Sequence, residues 1–448
     1  MAMNTSTVMS FEQSAALRER AHRAIPAGCH TYSKGDDQFP QLSPGFINRA
    51  SGCYAYDVDG NEFVDWGMGL RSVILGHAYS RVNEAAIEQI RLGQNFTRPA
   101  PIETEVAEHI IDLIPSADMV KFAKDGSDVT SAAIRMARAY TGRDYVAICK
   151  EHPFFSFYDW FIGTTPVNAG VPDAISNLSL TFHYNDLPSL QKLFDEHPGQ
   201  ISSIMMEPVT TDEPNPGFLE GVRDLATREG AVLIFDEMIS GFRWDLRGAQ
   251  TYFGVTPDMS TFGKAVANGF SVAALTGRRD IMELGGLRHD KPRVFLLSST
   301  HGGETHALAA CKATLTEMAE KNVTAHLWMV GKRLQDGFNE AARRAGVAGQ
   351  VKAAGYACSP ILTFKDKNGK SSSGLRTLYL QEMIAQGILI PYIAPCFMHT
   401  VAEIDRTAEA SERALRQVAR VLNGEPLGNL LVGPPTRPVF RRFNNDEQ

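Results

Sequence analysis

Asp236 and Lys264 are the residues whose types and placement allow covalent chemistry. Ala231 to Phe235 is a short apolar run that ends in two acids, Asp236 and Glu237. Such a run reads as a buried parallel strand whose acidic residues emerge at its C-terminal tip. Open α/β sheets bind their ligands at those tips. Lys264 follows a second short segment, Met259 to Gly263, and sits between small residues. From there it reaches back into the cleft, where partial desolvation lowers its pKa and makes it a better nucleophile. An amine with a nearby carboxylate suits a cofactor that has an aldehyde and a basic ring nitrogen, which is pyridoxal 5′-phosphate. A lysine after glycine is ordinarily a solvated loop residue, so this reading depends on the other parts of such a site being present.

Those parts are found elsewhere in the chain. Lys124-Asp125-Gly126-Ser127-Asp128 lies between an apolar run at Met119 and a helical stretch from Asp128 to Tyr140. Ser127 is the expected N-cap, and Gly126 lets the backbone approach an anion closely. A helix N-terminus favours a phosphate. Phe154, in the aromatic stretch after the strand at Tyr145, can stack on a planar ring. An ionised Asp236 keeps the ring nitrogen protonated, and Met238 packs on the other ring face. Glu207 ends the run Ile201 to Met206 and adds a third carboxylate at the sheet edge. The Thr300 hydroxyl and the Gly-rich loop after it can hold phosphate. Lys34, Arg71 and Glu304 are candidates for substrate contacts, and either Lys34 or Arg71 can bind a carboxylate or a phosphate. His301 and His306 stand five positions apart, which does not align them on one helical face, so no metal site is expected. Gly67 to Ser72 imitates a dinucleotide fingerprint, but the third glycine is missing and no periodic helix follows.

The elements that must position these residues are legible in outline. The 448 residues suffice for one large and one small domain. With 44% hydrophobic and 21% charged residues the chain is ordinary globular protein, and its net charge of −7 argues against a nucleic-acid or anionic-membrane partner. The six cysteines form no C-x-x-C pair, so neither zinc nor a disulfide framework is expected, and a reduced, cytoplasmic setting fits. There is no signal-like apolar start and no membrane-length apolar run. Ser10 to Ile25 reads as an amphipathic helix, and Ala50 to Asp65 as a hairpin about Asp57 to Asn61. From Met119 to Met282 short apolar runs alternate with helical stretches, which predicts an α/β domain with a mostly parallel sheet. After Glu304 the pattern turns to helices with few strands, a smaller α+β region. The expected division is residues 1–65, an N-terminal segment of the small domain, 66–310 for the large domain and 311–448 for the rest of the small one.

In order along the chain, these stretches resemble the class III, or subgroup II, pyridoxal phosphate-dependent aminotransferases, and within them the glutamate-1-semialdehyde aminomutase group. The resemblance rests on Tyr56-Asp57-Val58-Asp59-Gly60-Asn61, Ile74-Leu75-Gly76-His77, Asp236 to Arg243, Phe262-Gly263-Lys264 and Thr300 to Ala310. It implies fold type I, with a large domain built on a mostly parallel seven-stranded sheet flanked by helices and a small domain from both chain ends. It also implies a homodimer with active sites at the interface. Lys264 then carries the cofactor as an internal aldimine, Asp236 pairs with the pyridinium, Gly126 and Ser127 hold the phosphate, and Thr300 reaches the neighbouring subunit's phosphate. Phe154 stands where the family usually has a stacking tyrosine. The expected activity is transfer of an amino group between a small-molecule amine and a carbonyl acceptor. Intramolecular transfer, as in the aminomutases, is the alternative, and a non-catalytic pyridoxal phosphate-binding protein is a further one.

The departures fall mostly on the substrate half. The family's Ser-Gly-Thr-Glu-Ala is Asp125-Gly126-Ser127-Asp128-Val129 here, and its Tyr-His-Gly is Phe154-Phe155-Ser156. Glu304-Thr305 replaces an Asn-Pro. The aminomutases' Ser-Trp has become Gly69-Leu70, their arginine has become Lys34, and their Phe-Glu-Ala-Gly has no match near Pro395 to Met398.

Overall fold

The computed structural model describes residues 9–152, 154–209 and 212–444. The chain forms two compact units. One comprises residues 1–70, 74–79 and 325–439; the other comprises residues 71–73, 80–324 and 440–448. The helix Thr305–Glu320 runs unbroken through residues 310 and 311, where the division between domains was expected, and belongs wholly to the second unit.

The second unit is built on a seven-stranded sheet. Its strands in chain order are β1 (Met119–Ala123), β2 (Tyr145–Cys149), β3 (Ser179–Phe182), β4 (Ile201–Met206), β5 (Val232–Asp236), β6 (Met259–Phe262) and β7 (Ala273–Gly277). Their spatial order is β1-β7-β6-β5-β4-β2-β3. Only β7 runs antiparallel to its neighbours. Every residue of β4 and β5 is buried, which is why these strands read as continuous apolar runs rather than alternating ones.

Period-two alternation sorts their side chains. Ile148, Met205 and Ile234 pack on one face with Val129, Ala133 and Met136 of the helix Gly126–Thr141. Ala147, Ile204, Leu233 and Phe235 pack on the other with Leu190, Val222 and Leu225. Asp236 therefore shares the face of Ile234, and Glu237 the face of Phe235. The acidic pair is split by the pleat.

In the other unit, Ile47–Ser51, Tyr54–Asp57 and Glu62–Asp65 form an antiparallel meander, with Ile388–Leu389 added in parallel. The expected hairpin turn is fastened by Asp57, whose carboxylate accepts the amides of Asp59 and Asn61. Helices Ser373–Ile384 and Val401–Leu422 close a core around Trp66, Phe338, Leu378 and Tyr379. A second ribbon pairs Val351–Ala354 with Ile361–Phe364. Its first strand was missed in the sequence, because Val351-Lys352-Ala353-Ala354 is short and carries one β-branched residue. Among the described residues no helix is long and apolar enough to cross a membrane.

Candidate active site

Because β4, β5 and β6 are parallel neighbours, their C-terminal ends lie along one edge of the sheet. Glu207 follows β4, Asp236 ends β5, and Lys264 follows β6 after Gly263. The topology alone thus gathers two carboxylates and an amine. Asp236 is 1% exposed. Its Oδ1 accepts the Met238 amide at 3.0 Å and the Thr261 hydroxyl at 2.9 Å. Thr261 is also the strand partner of Asp236, so register delivers the second donor. Burial lifts the Asp236 pKa to about 6, against the pull of Lys264 and the two hydrogen bonds.

Lys264 opens a single 3-10 turn, Lys264–Ala267, with φ at +45°. That left-handed start is rare for a residue with a Cβ and is the kind of strain that collects at working sites. Part of its surface stays accessible, yet burial of the amine is the largest influence and lowers its pKa. Asp236 and Glu207 oppose that shift, while Arg71 and Arg243 add to it.

Glu207 is 3% exposed, and burial together with Asp236 pushes its pKa well up. Asp236 has two hydrogen-bond donors and Glu207 Oε2 has none, so of the two carboxyls Asp236 is the better placed to hold negative charge. Glu207 Oε2 is buried with no hydrogen-bond partner, a polar atom aimed at something the chain does not supply. The Glu207 amide donates to His152 Nδ1 at 3.0 Å. That bond fixes the His152 proton on Nε2, and burial holds its pKa down at about 3.

The helix expected to face the phosphate begins earlier than its sequence indicates. It spans Gly126–Thr141, and its N-cap is Asp125, not Ser127. Asp125 Oδ1 accepts the amides of Ser127 at 2.8 Å and Asp128 at 3.2 Å. Aspartate and serine cap equally well, and the residue with extended φ and ψ won the position. Ser127 Oγ instead accepts the amide of Phe157 at 3.1 Å, which leaves its hydrogen to donate. A Cβ at Gly126 would meet Met238 Sδ at 3.0 Å, and one at Gly263 would meet it at 2.6 Å. The helix start, Met238 and the Lys264 loop are therefore in contact only because both positions are glycine.

Glu237 points to the opposite side and does structural work there. Its carboxylate accepts the amides of Ala249 and Gln250 and the Gln250 side chain. Burial raises its pKa to about 7.

The remaining candidates are more scattered. Phe154 is 45% exposed and meets Phe161 edge to face, while Phe155 is buried. Thr300 is exposed. Glu304 is engaged by Lys124 at 2.8 Å and His301 at 2.9 Å, tying the two loops expected at the phosphate. Arg71 joins the electrostatic cluster of Lys264 and Glu207. Lys34 belongs to the other unit and is exposed at the end of the turn Tyr32–Lys34. Arg243, Thr261 and His152 were not singled out beforehand. Arg243 could have been: a charged residue directly after Gly241-Phe242, close behind a strand tip, is out of place in a core. Among the described residues no group of three or more His, Cys, Asp or Glu is placed to hold a metal ion.

A buried carboxylate, a desolvated lysine and a glycine-opened helix start fit pyridoxal phosphate, and the comparisons with known proteins agree. The aminotransferase class-III family model matches residues 34–415. Glutamate-1-semialdehyde 2,1-aminomutase 2 of Bacillus licheniformis is 32% identical over 92% of this chain and 99% of its own length. The 3-aminobutyryl-CoA aminotransferase of Cloacimonas acidaminovorans is also 32% identical, with the same coverage. The PLP internal aldimine form of the FumI protein of Sphingopyxis sp. MTA144 superposes with a TM-score of 0.85 at 28% identity, covering 93% of this chain and 99% of that one. The chain belongs to the class-III aminotransferase family. It is a fold type I aminotransferase that uses pyridoxal 5′-phosphate and acts on small molecules.

Proposed function

We propose that Lys264 holds the cofactor covalently and moves the proton in amino transfer, with Asp236 as the partner of the ring nitrogen. The observation that carries this is the parallel order of β4, β5 and β6, whose C-terminal ends bear Glu207, Asp236 and Lys264 along one sheet edge. Bound there, pyridoxal phosphate supplies a carbonyl that accepts an amino group and a ring that accepts electrons. Lys264, its pKa lowered by burial, takes a proton at Nζ from the carbon bearing the amino group and later returns it. Asp236 keeps its charge opposite a cationic nitrogen. Gly126 and Ser127 receive the phosphate at the helix start, Phe154 and Met238 flank the ring, and Glu207 Oε2 lies open to a polar group of the bound molecule. Thr300, exposed in a single chain, serves a neighbouring subunit's phosphate, which makes the working unit a homodimer with interfacial sites. The protein acts in the cytoplasm.

The test is a donor screen. The purified protein is yellow near neutral pH and loses that colour when an accepted amine converts its cofactor to the pyridoxamine form. A colourless protein that gains nothing from added pyridoxal phosphate contradicts the assignment. Intramolecular transfer, favoured by the likeness to an aminomutase, is tested separately by supplying glutamate-1-semialdehyde and looking for 5-aminolevulinate.

Asp236 also gives a pH signature. Its pKa rises from 3.8 in the unfolded chain to about 6 in the cofactor-free fold. A raised pKa stabilises the fold below the unfolded value, and that stability is lost as pH rises through the folded one. A cation beside Asp236 removes the penalty. The melting-temperature gap between loaded and stripped protein should therefore widen from about pH 4 to above pH 6. A gap that is flat across this range would mean Asp236 does not face the ring nitrogen.

A further inference from the structure

The aromatic residue expected beside the cofactor sits in a loop with no regular structure. Residues 154–158 form neither helix nor strand. The loop is fastened to the helix Gly126–Thr141 at two later points. The carbonyl of Phe155 accepts the Thr130 hydroxyl at 3.0 Å, and the amide of Phe157 donates to Ser127 Oγ at 3.1 Å. Phe154 stands ahead of both fastenings, so packing has to place its ring. The ring it meets is Phe161, edge to face, with centroids 5.7 Å apart.

Phe161 is buried at the centre of a ring cluster. Phe155 packs on it edge to face at 5.6 Å, and Trp160 lies at 5.9 Å. Both are its close neighbours in sequence and shift when its own segment shifts. The fourth ring comes from the far end of the chain: Phe440 meets Phe161 edge to face at 6.3 Å and 81°. Residues 433–448 are rich in proline, arginine and asparagine. Phe440 nevertheless belongs to the same compact unit as the seven-stranded sheet and packs against the core that contains Val129 and Met238. Phe443, the other aromatic residue of that stretch, is exposed. Edge-to-face pairs are directional, because the positive edge of one ring seeks the negative face of another. Phe440 thus supplies Phe161 with an anchor from outside the loop that Phe161 steadies.

We propose that Phe440 is a positioning residue for the cofactor site: the C-terminal stretch docks this ring on Phe161, and Phe161 in turn holds Phe154 against the bound cofactor. The proposal rests on the cofactor standing at Lys264 with Phe154 beside its ring. Phe440 acts through Phe161, by keeping the loop in the arrangement that receives the cofactor. Apparent affinity falls in proportion to the fraction of protein in that arrangement. An aromatic pair of this geometry is worth a factor of about 2 to 12, which sets the scale of the loss.

The test titrates stripped protein with pyridoxal 5′-phosphate and reads the visible circular dichroism of the bound cofactor. The free cofactor is achiral, so its visible band gains ellipticity only from ordered, asymmetric surroundings. In Phe440→Ala the apparent Kd should rise by about 2- to 12-fold, and the ellipticity per bound cofactor at saturation should fall. Phe440→Tyr, which keeps the ring, should restore both. Phe443→Ala should match wild type. Phe154→Ala should show the same two losses, and the double variant Phe154→Ala/Phe440→Ala should lose no more than Phe154→Ala alone, because the two residues act in series. Should Phe440→Ala fail to fold, Phe440→Leu carries the same comparison, since it keeps apolar bulk without the ring. Wild-type Kd and ellipticity in Phe440→Ala or its leucine substitute overturn the proposal, as do losses that add in the double variant or losses equally large in Phe443→Ala. Each of these leaves the assignment of Lys264 intact. If the wild-type protein gains no visible band from added pyridoxal phosphate, the cofactor site itself is misplaced, and the Phe440 proposal falls with it.

Discussion

Lys264→Ala should lose both the yellow colour and turnover, with kcat/KM for the best donor falling at least about 10^4-fold. The effect is large because one amine has two tasks. It holds the cofactor, and it is the base placed to move the proton. Its pKa is lowered by burial, with Arg71 and Arg243 adding to the shift. Asp236 cannot take over the task, since its Oδ1 is bonded to Met238 and Thr261. The variant should melt near the stripped wild-type protein rather than the loaded one, because it loses the stabilisation that bound cofactor supplies. A variant that keeps colour and at least one-tenth of wild-type turnover would show that another residue does this work.

Asp236→Asn should lower turnover by about 10^2- to 10^4-fold while still binding cofactor. The amide has the shape of the carboxylate and its Oδ1 can retain both hydrogen bonds, but it brings no charge. A neutral partner cannot keep the ring nitrogen protonated, and the electron sink weakens. The pH dependence of stability separates this from simple damage. The pH dependence of the melting-temperature gap attributed to Asp236 should flatten in Asp236→Asn, because the group that titrates between 3.8 and about 6 is gone. Glu237→Gln should leave that pH dependence in place, since Glu237 faces the other side of the sheet and bonds Ala249 and Gln250.

How much of this was legible in the sequence depended on the kind of signal. The tip of β5 was readable because a strand buried on both faces must be continuously apolar, and its sequence stops being so at Asp236. The gathering of Glu207 and Lys264 beside it followed from parallel order, which the alternation of runs and helices implies. The helix start at Gly126 was misplaced because Asp125 and Ser127 are equally good caps, and only φ and ψ choose between them. The positive φ of Met68, Leu70 and Arg71 was invisible, because methionine, leucine and arginine carry no preference for it. The pairing of Glu304 with Lys124 joins residues far apart in sequence, and charge spacing gives no warning of it.

The claim on which the rest depends is covalent attachment at Lys264. Borohydride reduction of the yellow protein, followed by proteolysis and mass spectrometry, tests it directly. The account predicts a stable pyridoxyl phosphate adduct on the peptide containing Lys264 and on no other lysine peptide. An adduct on a different lysine, or none on a protein that remains yellow, would contradict it.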